Sequence, residues 1–294
     1  MSISIIILKF RIRSTATTRE ERSNKTYQGD QTVDWAGYAD DLELFFEDDE
    51  NLQKGLDTLE ETFKRYNLTI NVTKTKTMII NHHYINNNST YPESIATLNN
   101  TPIENVVTFR YLGDRIKYDE PSTGDAEIEL RIDVAEGKFY ALSKKLLNHK
   151  ILLHTRIKIL NSMVRSQLTY SCQTWNLTER QTDRINSTYT SMLRKMVKGG
   201  YRYKKDAEFH FVLTNANLYN ICKTITINEF VKRQQRKYLA HLARQPNATL
   251  TKKLLFNNNK ATRPGRQLTL ESKVLSDEQC SADTFYKKAL NREY

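Results

Sequence analysis

Two adjacent carboxylates, Asp40 and Asp41, sit between short apolar and aromatic runs in Asp34-Trp35-Ala36-Gly37-Tyr38-Ala39-Asp40-Asp41-Leu42-Glu43-Leu44-Phe45-Phe46. Side by side at a tight turn they repel one another, and a divalent cation would neutralise the pair. Mg²⁺ suits such a site, because it binds through one or two carboxylates and completes its shell with water or substrate phosphates. The plain alternative is a solvated acidic turn, since charged side chains are mostly exposed; Asp48-Asp49-Glu50 just downstream is read that way. Other candidate chemistry is weaker. His82-His83 has no Cys or Glu at ligand spacing, and structural zinc needs four ligands, so no zinc is expected. Cys172 lies beside Trp175 with no neighbouring His or other base, which reads as buried core rather than a reactive thiol.

The elements that must position the acids follow from periodicity. Residues 35–38 and 42–46 suit two strands, with Leu42, Leu44 and Phe46 alternating on one face and Asp40-Asp41 at the hairpin tip. Leu52, Leu56, Leu59 and Phe63 recur at helical spacing and predict a helix that packs behind the strands. Leu68, Ile70 and Val72 alternate as a strand, and Met78-Ile79-Ile80 begins another, with Lys74 and Lys76 between them. Residues 84–92 read as loop. Ile103 and Val106-Val107-Thr108-Phe109 lead into Tyr111-Leu112-Gly113, a strand pair in which Gly113 permits close backbone approach. From 125 to 200 the pattern is helical. Ile128, Ile132, Ala135, Phe139, Leu142 and Leu146 form one stripe, with Arg131, Lys138, Lys144, Lys145 and Lys150 off it; Ile157, Leu160, Val164 and Leu168 form a second. Gly199-Gly200-Tyr201-Arg202-Tyr203-Lys204-Lys205 interleaves aromatics and cations, which suits either stacking on bases or an exposed linker. A last helix around 230–242 carries Lys232, Arg233, Arg236 and Lys237, and residues from about 246 onward read as loosely ordered.

Within this frame Tyr38-Ala39-Asp40-Asp41 resembles the Tyr-x-Asp-Asp box of reverse transcriptases. Residues 52–66 look like the palm helix after the box. Residues 66–78, Tyr66-Asn67-Leu68-Thr69-Ile70-Asn71-Val72-Thr73-Lys74-Thr75-Lys76-Thr77-Met78, resemble the next palm motif of non-LTR (LINE-type) retrotransposon enzymes. Phe109-Arg110-Tyr111-Leu112-Gly113 is similar to their primer-grip hairpin. Tyr170-Ser171-Cys172-Gln173-Thr174-Trp175 and Arg236-Lys237-Tyr238-Leu239-Ala240-His241-Leu242 are similar to segments beyond their thumb. The resemblance implies an RNA-directed DNA polymerase that uses Mg²⁺ or Mn²⁺, with Asp40 and Asp41 as metal-binding catalytic residues. It also implies a lysine at 74 or 76 near nucleotide phosphates, a primer grip at Tyr111, Leu112 and Gly113, and RNA template and DNA primer as partners. Relatives need a third aspartate on a neighbouring palm strand, well upstream. Only Glu20, Glu21, Asp30 and Asp34 precede the box here, and neither that residue nor the fingers is found among them. The expectation is an N-terminally truncated enzyme, with a second chain as one source of the missing parts.

Composition and charge bound these readings. The 294 residues, 38% hydrophobic, allow two ordinary globular cores. Three widely spaced cysteines argue against a disulfide framework, and the apolar run at 5–8 is far too short for a membrane span. The Asn-x-Ser/Thr sites at Asn67, Asn71, Asn88, Asn176, Asn186 and Asn247 read as compositional, and the expected location is intracellular, cytoplasmic or nuclear, not secreted. Charge is uneven. Residues 34–63 hold eleven acids against Lys54, a net −10 inside a chain of +11, so the remainder carries +21. A basic flank beside an acidic spot suits nucleic-acid backbone, with Lys138, Lys144, Lys145, Arg202, Lys204, Arg233 and Arg236 as candidate contacts. The expected fold is α+β, a partial palm of antiparallel hairpins on a helix followed by a helical thumb and tail. Its parts are 1–32 as a disordered or remnant segment, 33–118 as palm, 119–200 as thumb and 201–294 as basic C-terminal region. Two other readings are a non-catalytic nucleic-acid-binding module and a poorly folding relic.

Overall fold

The computed structural model describes residues 35–39, 41–80, 92–118, 124–197, 213–247, 249, 251–252 and 270–292, and the backbone alone of 2–10, 202–205 and 208–211. The chain divides into two compact units, 1–121 and 122–294. Its architecture is α+β, strands first and helices after.

In the first unit β1 (Ser2–Phe10) lies inside a five-stranded sheet, between β3 (Asp41–Phe46) and the strands β4 (Thr69–Ile70) and β5 (Lys76–Ile80); β2 (Trp35–Tyr38) forms the outer edge. Nine residues of the segment 1–32, expected as disordered or remnant, thus form a sheet strand, and residues 11–32 lie outside the described residues. Ile5-Ile6-Ile7-Leu8 at the centre of β1 is continuously apolar, which is how a strand with neighbours on both sides reads. The expected antiparallel hairpins are present, and β1 adds parallel pairings to them. The pair β2–β3 is antiparallel, but β1 runs parallel to β3, β4 and β5. Beyond β5 the sheet is extended by residues 104–106, where the Val106 amide donates to the Thr77 carbonyl at 2.8 Å and the Thr77 amide to that of Glu104 at 3.0 Å.

Helix α1 (Asp49–Arg65) follows β3. Its N-terminus is capped by Asp48, whose carboxylate accepts from the Asn51 amide at 2.7 Å, satisfying a donor that the helix itself cannot. Leu52 and Leu56 are fully buried and pack with Leu42, Leu44, Phe46, Leu59, Ile70 and Val72, as the stripe predicts. The opposite face of β3 carries Asp41, Glu43 and Phe45, because strand side chains alternate. There Phe45 and buried Met78 pack with Phe109, Tyr111 and Ile116 of the hairpin β8 (Thr108–Tyr111) and β9 (Asp114–Lys117). A small hairpin, β6 (Thr97–Leu98) and β7 (Thr101–Pro102), covers the α1 side.

The second unit is a helical bundle with one hairpin. In order come α2 (Asp125–Ala141), α3 (Ser143–Leu146), α4 (Leu153–Ile159), a π-helical turn (Leu160–Arg165) running into α5 (Ser166–Leu168), and α6 (Glu179–Met196). The strands β10 (Arg202–Lys205) and β11 (Glu208–Phe211) pair antiparallel, and α7 (Asn215–Cys222), α8 (Ile227–Ala243), α9 (Leu270–Asp277) and α10 (Ala282–Leu290) follow. The core joins Ile128, Ala135 and Phe139 to Leu160, Val164, Leu168, Tyr189, Leu218 and Val231. This core takes in side chains both before and after residue 200. Of the stretch 199–205, read as stacking segment or linker, Arg202–Lys205 form one strand of the β10–β11 hairpin; residues 199–201 and the side chains of the strand lie outside the described residues. Cys172 and Trp175 are buried, and burial pushes the Cys172 thiol up to about 12. Arg156, also buried, donates to the carbonyls of Leu146, Ile151 and Met196, tying α3, α4 and the end of α6 together.

Candidate metal and nucleic-acid site

The acidic turn is a two-residue loop. Tyr38 pairs with Asp41, leaving Ala39 and Asp40 to turn the chain. Such loops need left-handed backbone to match strand twist, and Ala39 has φ 55°. That conformation costs a residue with a Cβ, and cost of this kind collects at functional sites. Asp40 lies outside the described residues. Asp41 is half-buried at the start of β3, and Tyr38 is exposed beside it.

The strand next to Asp41 decides what else can join it. In register, Ser4 of β1 stands opposite Asp41, and β1 holds no Asp or Glu from Ser2 to Phe10. A further acid on the Asp41 face of β3 is Glu43, two residues along the strand. Glu43 is 8% exposed, and burial raises its carboxyl above the usual range. Among the described residues it has no hydrogen-bond or ion-pair partner. The Tyr111 phenol is itself pushed up, by burial first, then by Glu43 and by Asp41. Tyr111 and the two acids are thus neighbours. The tip of its hairpin places Leu112 at φ 47° and Gly113 at φ 90°, a two-residue turn that leaves Leu112 exposed. An all-oxygen donor set fits one hard divalent cation with open positions for phosphate or water. Among the described residues no group of three or more His, Cys, Asp or Glu is gathered for a metal.

The two candidate phosphate lysines differ. Lys76 is paired with Glu104 and three-quarters buried. Lys74 is exposed in a turn whose backbone amide donates to the Asn71 side chain at 3.1 Å, and its ammonium has no ion-pair partner among the described residues. In the second unit Lys144 and Lys145 are exposed and Lys138 is half-buried, none of them ion-paired among the described residues. Arg233 pairs with Glu229 at 2.7 Å and Arg236 with Glu278 at 2.6 Å. The side chains of Arg202 and Lys204 lie outside the described residues. Arg131, read as part of a solvated basic face, is 4% exposed, paired with equally buried Glu127 and stacked 4.5 Å over the Tyr170 ring. Being i+3 from Ile128, it belongs to the buried stripe.

Two signals were open to sequence reading and went unused. Residues 137–178 contain no Asp or Glu while holding seven Lys and Arg, and this adds exposed Lys158 to Lys138, Lys144, Lys145 and Lys150. Glu43 shares the alternation that puts Asp41 on one face of the strand. Among the described residues no helix is long and apolar enough to cross a membrane.

Residues 13–116 match a family model described as reverse transcriptase (RNA-dependent DNA polymerase), so this third of the chain is similar to the reverse-transcriptase domain. Reverse transcriptases generally use divalent metal ions and bind a nucleic-acid template and primer. No curated protein and no solved structure matches the chain.

Proposed function

We propose that the chain is a reverse transcriptase of the non-LTR type by descent, with a palm at 1–121 and a basic helical unit that holds template and primer without sequence specificity. The order of the Tyr-Ala-Asp-Asp box, the 66–78 motif, the Tyr-Leu-Gly hairpin and the downstream segments supports the type. Asp40 and Asp41 would hold a divalent cation, which supplies positive charge to phosphate oxygens. Tyr111, Leu112 and Gly113 would seat the primer end, and Lys74, exposed where Lys76 is paired, is the better candidate for nucleotide phosphate. Residues 1–294 bind nucleic acid but do not polymerise alone.

The observation that carries the last point is the register beside Asp41. Two metal ions about 3.5–4 Å apart need carboxylates from more than one strand, and the strand alongside offers Ser4 there. A further carboxylate for a second ion then has to come from outside β1 and β3. The test is primer extension on an RNA template with Mg²⁺ or Mn²⁺, comparing the chain with its Asp40→Ala, Asp41→Ala form. We expect no incorporation by either and equal, salt-sensitive template binding by both. Incorporation that vanishes in the double variant would show that a third ligand exists and would overturn the reading of incompleteness. Failure to bind template would overturn the function as a whole.

A further inference from the structure

We propose that the α3–α4 loop, residues 147–152, is an apolar wedge that inserts Leu152 between the stacked bases of a double-stranded nucleic acid held along the surrounding lysines. The proposal rests on the nucleic-acid reading above and adds what that reading lacks, a contact to the bases and a preference among duplexes.

The loop is held rigidly from below. Arg156 is 4% exposed; its Nη1 donates to the Leu146 carbonyl at 3.0 Å, where the chain enters the loop, and its Nε to the Ile151 carbonyl at 3.0 Å, where the chain leaves. The same guanidinium reaches the Met196 carbonyl at 2.8 Å and so fixes the loop to the end of α6. Between these anchors the Asn148 side-chain oxygen accepts from the Lys150 amide at 3.0 Å, the kind of local bond by which Asn folds a short loop back on itself. On this base stand two leucines that do not pack: Leu152 is 69% exposed and Leu147 38%. Leu152 is also the N-cap of α4, where its side chain makes no capping hydrogen bond and leucine is among the poorest choices. Its side chain thus serves neither core nor cap. One exposed leucine is ordinary, but a leucine at an unfavourable position on a rigid mount is how binding residues on loops are held.

The charge around the loop decides its occupant. Lys150 lies in the loop, Lys144 and Lys145 on the helix that enters it, Lys158 on α4, and Lys195 next to Met196; all five are exposed and none is ion-paired among the described residues. Residues 137–178 contain no Asp or Glu. A phosphate backbone complements such a surface. A membrane would need more apolar area than two leucines, since even a myristoyl chain alone gives only marginal binding. A wedge needs little: apolar side chains pushed into a base step kink a duplex whose backbone is held by neighbouring cations.

The test uses the full chain and a short RNA–DNA hybrid carrying 2-aminopurine at successive positions of its DNA strand, a base that brightens when it loses its stacking neighbour. Binding of wild-type protein should raise the fluorescence several-fold at one base step and leave distant steps unchanged. A duplex mismatched at that step is already partly unstacked and costs less to open, so it should bind about tenfold tighter than the fully paired one. Leu152→Ser should lose both the brightening and the preference, while the salt slope, which counts the phosphates held by lysines, keeps its wild-type value. Leu290→Ser, the same change at a leucine 63% exposed in α10, should keep all three. Because serine is a good N-cap, Leu152→Ser should melt at or above the wild type; a lower melt would mean that Leu152 packs rather than projects, and would overturn the proposal. Salt-sensitive binding without local brightening would overturn the wedge and leave the nucleic-acid function standing, whereas failure of wild-type protein to bind the hybrid would overturn both. Uptake onto phosphatidylserine vesicles that Leu152→Ser abolishes, with no brightening on the hybrid, would assign the loop to a lipid surface instead.

Discussion

Ala39 carries the sharpest tension at the scale of single residues. Left-handed backbone brings its Cβ against the following carbonyl, at a cost of roughly 1–2 kcal/mol for a residue other than glycine. Glycine removes that clash but brings more unfolded-state entropy, worth about 0.4–1 kcal/mol in the other direction. We therefore expect Ala39→Gly to stabilise the first unit by about 0.5–1 kcal/mol in urea unfolding. A loss of stability would mean that the turn does not hold Ala39 at φ 55°. The sequence announced the acids but not this turn: Ala has no preference for left-handed backbone, so pairing of Tyr38 with Asp41 must impose it on Ala39. Glu43 was hidden for a similar reason. A strand pattern places it on a face, but only the fold shows that the Tyr111 hairpin covers that face.

Among the elements, α1 and α2 were legible because amphipathic helices bury one stripe: Leu52 and Leu56 of the first stripe and Ile128, Ala135, Phe139 and Leu146 of the second are buried, while Phe63 stays half-buried outside the core. Strand β1 was not legible, because a continuous apolar run lacks the alternation that marks a half-exposed strand, and the polar residues after it diluted the signal. Arg131 was misread because a cation on a helix is exposed by default, and its buried partner Glu127 is known only from packing. The join between β3 and α1 gives a further test. Gly55 lies inside α1, where alanine would ordinarily gain about 1 kcal/mol from helix propensity. A Cβ there would stand 2.5 Å from Cζ and 2.7 Å from Cε1 of Phe46, whose ring packs with Leu52 and Leu56. Overpacking of that kind costs typically 1–3 kcal/mol, so Gly55→Ala should lower stability by about 1 kcal/mol despite the better propensity. Chemical unfolding with a gain of that size would show that the ring yields freely.

Across the whole molecule the two units differ in charge. Residues 1–121 hold 14 Lys and Arg against 19 acids, net −5, while residues 122–294 hold 31 against 15, net +16. Sequence counting found this asymmetry; which cations are free required the structure. Arg236 and Glu278 form a neutral pair, so removing both changes no local charge, whereas Lys144 and Lys145 stand exposed in an acid-free stretch. Each phosphate neutralised on a duplex contributes about 0.9 to the slope of log affinity against log salt, and about 0.7 on a single strand. Replacing Lys144 and Lys145 by Ala should therefore weaken binding to unrelated sequences alike and flatten the slope by about 1.8 on a primer–template duplex, or about 1.4 on single-stranded RNA. Arg236→Ala with Glu278→Ala should leave it unchanged. The measurement is fluorescence anisotropy across a salt series. An equal loss of slope in both variants would mean that Arg236 leaves Glu278 to grip phosphate, because an ion pair near the surface is weak enough to be exchanged. No loss in either would move the nucleic-acid track away from the end of α2 and α3.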